Sequence, residues 1–201
     1  MTFFIKLFET LQAGGIIIYP LSILFIASLA VIIDKFLFYK KLAKFPKELE
    51  SHDLEKTALK LNSQNIYVEF CNEIFANKTK PLWFIESKAQ KKASLIEKKL
   101  NKTLWILETT ITSAPLLGLL GTIIGMMKSF KLFGDNEISN ISGITGGVAE
   151  SLIATAVGIS IALIALFFFN YFSKKQDEIM SELESISTEI IDKIRLEKDE
   201  N

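Results

Sequence analysis

The sequence is poor in residues that form crosslinks or bind transition metals. Its 201 residues include one cysteine, Cys71, and one histidine, His52. A single cysteine excludes an intramolecular disulfide, and one residue of each kind excludes a cysteine and histidine cluster of the type that holds zinc. A Gly-x-Ser-x-Gly nucleophile motif and a phosphate-binding glycine loop are also missing. We therefore predict no enzyme active site, no metal site and no cofactor.

Charge is missing from three long stretches of the chain. Residues 10–33, 109–127 and 151–173 contain no Asp, Glu, His, Lys or Arg over 24, 19 and 23 positions. Each stretch is close to the ~20 residues that a helix needs to cross a hydrocarbon core of about 30 Å. Because that core offers no water to the backbone, a spanning segment must satisfy its own hydrogen bonds. We predict three transmembrane helices in an all-α integral membrane protein.

The distribution of lysine and arginine predicts the orientation of these helices. The net charge is zero, but 15 of the 23 basic residues lie between Asp34 and Glu108. Positively charged loops remain in the cytoplasm, so we expect this loop and the C-terminus inside and the N-terminus outside. A cleaved signal peptide ending near Ala30 is the alternative for the first stretch. That stretch is too long for a signal peptide, and its lysines follow it instead of preceding it.

Apolar residues at helical spacing predict further helices outside the bilayer. A stripe that begins at Leu82, after Pro81, continues to Leu107 at spacings of three and four, so we expect one helix that runs into the second span. The tail repeats the pattern from Ile179 to Ile194. Such stripes pack on each other or on neighbouring copies, which predicts an oligomer. The predicted segments are an outer-face amphipathic helix (1–12), spans (13–33, 109–130 and 147–173), a cytoplasmic helical loop (34–108), an outer loop (131–146) and a cytoplasmic amphipathic helix (174–201).

Small residues occupy one face of the second and third spans. Such faces let helix backbones approach closely in membranes, so helix packing alone explains them, and contact with a partner helix is the functional alternative. The packing and partner-contact positions predicted in this way are Gly118, Gly121, Gly125, Ser151, Gly158 and Ala162.

Three polar residues accompany these small faces. Thr122 and Thr155 place hydroxyls in the membrane, where each either bonds back to its own helix or lines a polar pathway. Glu150 begins the third span, where it is either a solvated interfacial carboxylate or the outer end of that pathway. Since the spans contain no acidic residue, a proton-conducting role would require a titrating group from a partner.

Two long motifs resemble those of a known family. Residues 113–126 read SAPLLGLLGTIIGM and are similar to the second-span signature of the ExbB, TolQ and MotA proton-channel family. Residues 147–158 read GVAESLIATAVG and are similar to its third-span signature. Residues 14–21 and 32–35 are similar to the ends of its first span. MotA has four spans, so the resemblance is closer to ExbB, with TolQ next.

The resemblance implies a mechanism and a set of partners. It implies a pentamer in the bacterial inner membrane, around single-span ExbD- or TolR-like partners whose aspartate carries protons along Thr122, Thr155 and Glu150. Protons are then the coupling ion, the outer loop lies in the periplasm, and a TonB- or TolA-like protein receives the work. The ExbB-like role energises TonB-dependent transport across the outer membrane; the alternatives are TolQ-like envelope integrity or a passive packing scaffold. No nucleic acid partner is expected. Ile164 stands where ExbB and TolQ commonly have proline, which implies a straighter third span.

Overall fold

The computed structural model describes residues 15–42, 65–134 and 141–199, without the side chains of residues 132–134, 141–144 and 150. Within these ranges the chain forms only helices joined by short turns, which confirms the all-α prediction. The predicted helix at residues 1–12 lies outside the described residues. The helices are α1 (Ile18–Lys41), α2 (Ile66–Phe75), α3 (Leu82–Asn101), α4 (Leu104–Gly134) and α5 (Ile141–Asp199).

Three of these helices are long and apolar enough to cross a membrane, as the uncharged stretches predicted. They are Ile18–Lys41, Leu104–Lys131 and a part of α5 within Thr145–Asp199. Helix α5, which contains the third span, runs without interruption through Ile164. The predicted orientation, segment boundaries and pentamer stay predictions.

The expected continuous helix from Leu82 into the second span is wrong. Helix α3 ends at Asn101, and α4 begins at Leu104. Between them Thr103 has a φ of 73°, in the left-handed region that a β-branched residue seldom adopts. Neither glycine nor proline marks the break, and the apolar spacing continues across it because Leu100, Leu104 and Leu107 are all buried. Periodicity therefore gave no sign of it.

The chain divides into two compact units. The first, here the membrane unit, comprises Met1–Ile33 and Thr103–Asn170. Its apolar cluster is drawn from the start of α1, from α4 and from α5. The cluster residues are Ile17, Ile18, Leu21, Ala114, Ile161 and Ala162.

A pair of hydroxyls joins α1 to α4 inside the membrane unit. The hydroxyl of Ser28 lies 2.9 Å from Oγ1 of Thr110, which in turn donates to the carbonyl of Ile106 at 2.8 Å. Both side chains are almost completely buried. With no water to compete, each hydroxyl needs such a partner, so the pair fixes the register of α1 against α4.

The second unit, here the loop unit, comprises Asp34–Lys102 and Tyr171–Asn201. Its core is formed by α2, α3 and the C-terminal half of α5, and it buries the predicted stripes of the loop and the tail. The short helix α2 is capped at its N-terminus by Asn65, whose side chain accepts a hydrogen bond from the N–H of Tyr67 at 3.0 Å. The stripes predicted for the loop and the tail thus pack within one chain.

Lys35 and Cys71 are two unusual members of the loop unit. Lys35 is 2% exposed, and its ammonium donates to the carbonyl of Leu100 at 2.5 Å, near the C-terminus of α3. That end of a helix carries partial negative charge, which favours a cation. Cys71 is fully buried, and burial raises the pKa of its thiol to about 12. Its thiolate is therefore scarce at neutral pH, and the folded protein is expected to leave it unmodified.

The orientation can be tested with two introduced cysteines. Ser94 is exposed on α3, and Asp135 belongs to the predicted outer loop. A membrane-impermeant maleimide added to intact inner-membrane spheroplasts should modify Asp135→Cys and spare Ser94→Cys, because only the first faces outward. Inverted vesicles should give the opposite result. Native Cys71 serves as the internal control: it should react from neither side until the protein is denatured. Modification of Ser94→Cys in intact spheroplasts would contradict the predicted topology.

Candidate functional site

The small faces of α4 and α5 face each other inside the membrane unit. Gly118, Gly121 and Gly125 on α4 are buried against α5. Ser151 and Gly158 lie on the facing side of α5 and are also buried. The structure thus brings the predicted small residues of both spans together within one chain. Ala162, the sixth predicted packing residue, is buried in the apolar cluster of the membrane unit, with Ala114 of α4.

The distances show how little room exists between the two helices. A Cβ atom added at Gly121 would lie 2.7 Å from the Cβ of Ala154, and one at Gly125 would lie 2.6 Å from the Cβ of Ser151. A Cβ at Gly158 would lie 2.5 Å from the carbonyl oxygen of Ala114. Non-bonded carbon atoms prefer separations of about 3.5–4.0 Å, so any side chain at these positions would push the helices apart.

Thr155 connects the two helices through a hydrogen bond. Its hydroxyl donates across the interface to the carbonyl of Gly118 at 2.9 Å. In a regular α-helix that carbonyl also accepts from the N–H of Thr122, one turn later. The missing side chain at Gly118 is what lets the hydroxyl reach the backbone, since a Cβ there would lie 2.9 Å from the Cα of Thr155.

Thr122 lies on α4, one turn after Gly118, and its hydroxyl bonds within its own helix. The hydroxyl donates to the carbonyl of Leu119 in its own helix at 2.6 Å. Both threonines are half-buried. Each hydroxyl therefore donates its only hydrogen to a backbone carbonyl, and each oxygen keeps lone pairs that can accept a hydrogen bond. Each oxygen can therefore accept a hydrogen bond from a group that carries a proton.

The tight packing continues toward the C-terminal part of α4 and the N-terminal part of α5. The hydroxyl of Ser129 donates to the carbonyl of Gly125 at 3.1 Å, and a Cβ at Gly147 would collide with that hydroxyl. Glu150 falls in this region of the chain, but its side chain lies outside the described residues. Its place on a proton pathway stays a prediction.

Two features of this region were missed by sequence reasoning. Ala154 is completely buried and lies against Gly121, yet only its neighbour Thr155 had been singled out. Ser28 and Thr110 form the buried hydroxyl pair described above, and a polar residue within an uncharged span was the available signal. That signal does not show which two helices will meet.

The described residues hold no metal site and no titrating group in the middle of the spans. No three His, Cys, Asp or Glu side chains among them approach closely enough to bind a metal ion. The uncharged stretch of α4 ends at Glu108 on one side and at Lys128 on the other. The uncharged stretch of α4 therefore places no carboxylate beside these hydroxyls.

Comparisons with known proteins agree on one family. A sequence model of the MotA/TolQ/ExbB proton channel family matches residues 50–185. The chain is similar to the biopolymer transport protein ExbB-like 3 of Synechocystis sp., with 32% identity over 181 residues, covering 80% of this chain and 82% of that protein. It shares 36% identity over 104 residues with the biopolymer transport protein ExbB of Aquifex aeolicus, covering 52% of this chain and 67% of that protein. It shares 34% identity over 84 residues with the Tol-Pal system protein TolQ of Pseudomonas aeruginosa, covering 42% of this chain and 36% of that protein.

The interface between α4 and α5 predicts the effect of a single methyl group. In Gly158→Ala the new Cβ meets backbone atoms of Ala114 and Gly118, which no side-chain rotation can move away. Overpacking of this kind costs about 1–3 kcal/mol, more than the ~1 kcal/mol that alanine gains over glycine in a helix. We expect a lower thermal unfolding midpoint for the purified protein in detergent.

Gly146→Ala is the matched control in the same helix. A Cβ at Gly146 has no neighbour within 4 Å, so this variant should unfold at the same temperature or slightly higher. Equal unfolding midpoints for Gly158→Ala and the native chain would contradict the close packing of α4 and α5.

Proposed function

This chain belongs to the MotA/TolQ/ExbB proton channel family, and on that premise we propose that it is the multi-span subunit of a proton-driven motor in the bacterial inner membrane. The observation that carries the proposal is the meeting of α4 and α5 in an uncharged membrane segment, where the hydroxyl of Thr122 on α4 and that of Thr155 on α5 donate to the neighbouring carbonyls of Leu119 and Gly118. Helices that only span the bilayer do not need threonine hydroxyls on a face made of small residues.

The proposed motor needs a second protein that carries the proton. The three uncharged stretches of this chain contain no group that gains or loses a proton near neutral pH. We propose that a single-span partner, like ExbD or TolR, supplies a carboxylate at the depth of Thr122 and Thr155. A carboxylic acid in the bilayer is costly when charged, so it would cross the apolar region in its protonated form.

The two threonines have a defined part in that step. Their hydroxyl hydrogens are held by the carbonyls of Leu119 and Gly118. Each oxygen can therefore accept a hydrogen bond from a protonated carboxyl group or from water, but it does not compete as a donor. Glu150, at the start of the uncharged stretch of α5, would serve as the outer end of the route.

Oligomerisation gives the partner a place to bind. Large apolar side chains are exposed on α4 and α5 in the single chain, including Leu116, Leu119, Ile159 and Leu163. In a pentamer these side chains would divide between lipid, neighbouring copies and the central partner helices. Proton flow would then move the partner by rotation, and a TonB-like protein would carry the work to the outer membrane.

We favour the ExbB-like role in TonB-dependent transport over the TolQ-like role in envelope integrity. Two of the relatives named ExbB or ExbB-like match 80% and 52% of this chain, others match 39–47%, and the TolQ relative matches 42%. A passive packing scaffold is the second candidate. It is favoured by the fact that both threonine hydroxyls already have partners within the chain.

The need for a partner predicts the behaviour of the chain in isolation. Purified protein reconstituted alone into vesicles should leak protons no faster than empty vesicles, because no titrating group crosses the apolar core. Co-reconstitution with its single-span partner should raise proton uptake, measured with an internal pH-sensitive dye. Rapid uptake by the isolated homo-oligomer would contradict a partner-supplied carboxylate.

The roles of the threonines predict an order of activity among matched variants. Valine keeps the shape of threonine but removes the hydroxyl, while serine keeps the hydroxyl and removes a methyl group. In cells that depend on this motor, Thr155→Ser should retain far more energy-dependent uptake than Thr155→Val, and Thr122 should follow the same order. Losing a membrane hydrogen bond costs only about 0.6 kcal/mol on average, so the complex should still assemble in all four variants.

Thr112→Val supplies the control for this series. Thr112 is exposed on α4 and donates to the carbonyl of Thr109, so the exchange removes a similar hydroxyl away from the site. We expect it to be fully active. A fully active Thr122→Val and Thr155→Val double variant, with normal abundance of the complex, would favour the packing scaffold.

A further inference from the structure

A cavity of about 460 Å³ lies in the loop unit, apart from the interface between α4 and α5. Its volume falls in the range of ~300–1,000 Å³ that is typical of small-molecule sites. The cavity opens beside the C-terminal part of α1 and the part of α5 that follows Asn170. The proposed motor assigns it no role.

Aromatic side chains from the ends of two spans form its walls. Tyr39 stacks on Phe172, with ring centroids 5.6 Å apart and planes 6° from parallel. Phe36 and Tyr171 also line the cavity. In the sequence, Phe36 follows the first uncharged stretch by three residues, and Tyr171 lies near the end of the third. Aromatic rings at the ends of spans mark the depth of lipid headgroups, so the cavity belongs to that level of the membrane.

The charged groups of the cavity balance each other. Lys40 and Lys175 supply two positive charges, and Glu178 and Glu182 supply two negative charges. Lys175 is already paired with Glu178 at 2.6 Å. The remaining two groups, Lys40 and Glu182, are therefore the ones that can meet a ligand.

Both groups can still form polar contacts, judged from the described part of the chain. Lys40 is exposed and has no hydrogen-bond or ion-pair partner among the described residues. Glu182 accepts a hydrogen bond from the hydroxyl of Tyr67 on one oxygen, Oε2, which orients the carboxylate. Its other oxygen accepts no hydrogen bond from a described residue. The cavity thus presents one cation and one oriented carboxylate oxygen between apolar walls.

From this arrangement we propose that the cavity binds the headgroup of a zwitterionic phospholipid with a primary amine, namely phosphatidylethanolamine. Lys40 meets the phosphate, and Glu182 accepts from the ammonium. The aromatic walls receive the glycerol and the first carbons of the acyl chains. An anionic headgroup without an amine would satisfy Lys40 but would leave its own negative charge beside two glutamates. A choline headgroup has the charge but no N–H to donate to Glu182.

Lipid retention by the purified full-length chain tests this assignment. The protein is stripped of lipid in detergent and then incubated with phosphatidylethanolamine, phosphatidylglycerol or phosphatidylcholine of identical acyl chains. Native mass spectrometry measures the number of lipids retained per chain. We expect phosphatidylethanolamine to be retained at about one per chain and at least tenfold more tightly than the other two, as one charged hydrogen bond implies.

Two variants and two neighbouring controls locate the bound lipid. Lys40→Gln and Glu182→Gln should each weaken retention about tenfold. The glutamine at position 182 can still accept from Tyr67, so the wall of the cavity is kept. Lys41→Gln and Glu184→Gln remove charges from residues that do not line the cavity, and they should retain the lipid normally. Thermal unfolding without lipid confirms that all four variants are folded.

Three results would overturn the assignment. Equal retention of phosphatidylglycerol and phosphatidylethanolamine would indicate a general attraction of lysines to lipid. Equal losses in Lys40→Gln and Lys41→Gln would place the lipid outside the cavity. Tighter binding of soluble glycerophosphoethanolamine than of the lipid would indicate a water-soluble ligand in place of a membrane one.

Discussion

The close approach of α4 and α5 is the constraint on which the membrane unit depends. Water cannot drive these helices together inside a bilayer, because the lipid tails are as apolar as the side chains. Their association must come from short-range packing and from hydrogen bonds between helices. Glycines at 118, 121, 125 and 158 permit both, since they bring the backbones close enough for the hydroxyl of Thr155 to reach a carbonyl of the facing helix.

The loop unit is held together by different forces. Its helices are exposed to water on their charged faces, so burial of apolar side chains stabilises them, as it does in a soluble bundle. Fully buried residues such as Phe70, Ile85, Leu100 and Leu183 come from α2, α3 and α5. Some polar groups at its edges are paired, as in the 2.6 Å ion pair of Lys92 with Glu69, which joins α3 to α2 and holds the pKa of the glutamate below its usual value. One chain therefore combines a lipid-solvated bundle with a water-solvated one.

The sequence predicted features that depend on local pattern. Three spans followed from the uncharged stretches, and the apolar faces of α3 and of the tail followed from spacing, because each rests on properties of consecutive residues. The break at Thr103 was not predicted, since the spacing is the same on both sides of it. The helix α2 was not singled out either, because its buried face of Val68, Cys71 and Ile74 is short.

For the candidate site, the small residues could be named from the sequence, but their partners could not. That Gly121 meets Ala154, or that Ser28 meets Thr110, depends on the rotation of each helix about its axis, and composition does not set that rotation. The sequence also left open whether the hydroxyls of Thr122 and Thr155 turn to their own helix or to the next one. In the structure, Thr122 donates to a carbonyl of its own helix, and Thr155 donates to a carbonyl of the facing helix.

Under the predicted topology, Lys35 ties the orientation of the chain to its folding. It is one of the five lysines that follow the first uncharged stretch, and in that topology its charge acts with theirs during insertion to keep the loop in the cytoplasm. Once α3 has formed, the same ammonium is buried and bonded to the carbonyl of Leu100. Under the predicted topology, inverting the first helix in the membrane would then require this bond to break and the loop unit to open. Under that topology, the buried bond of Lys35 would add to the cost of inverting the first helix after folding.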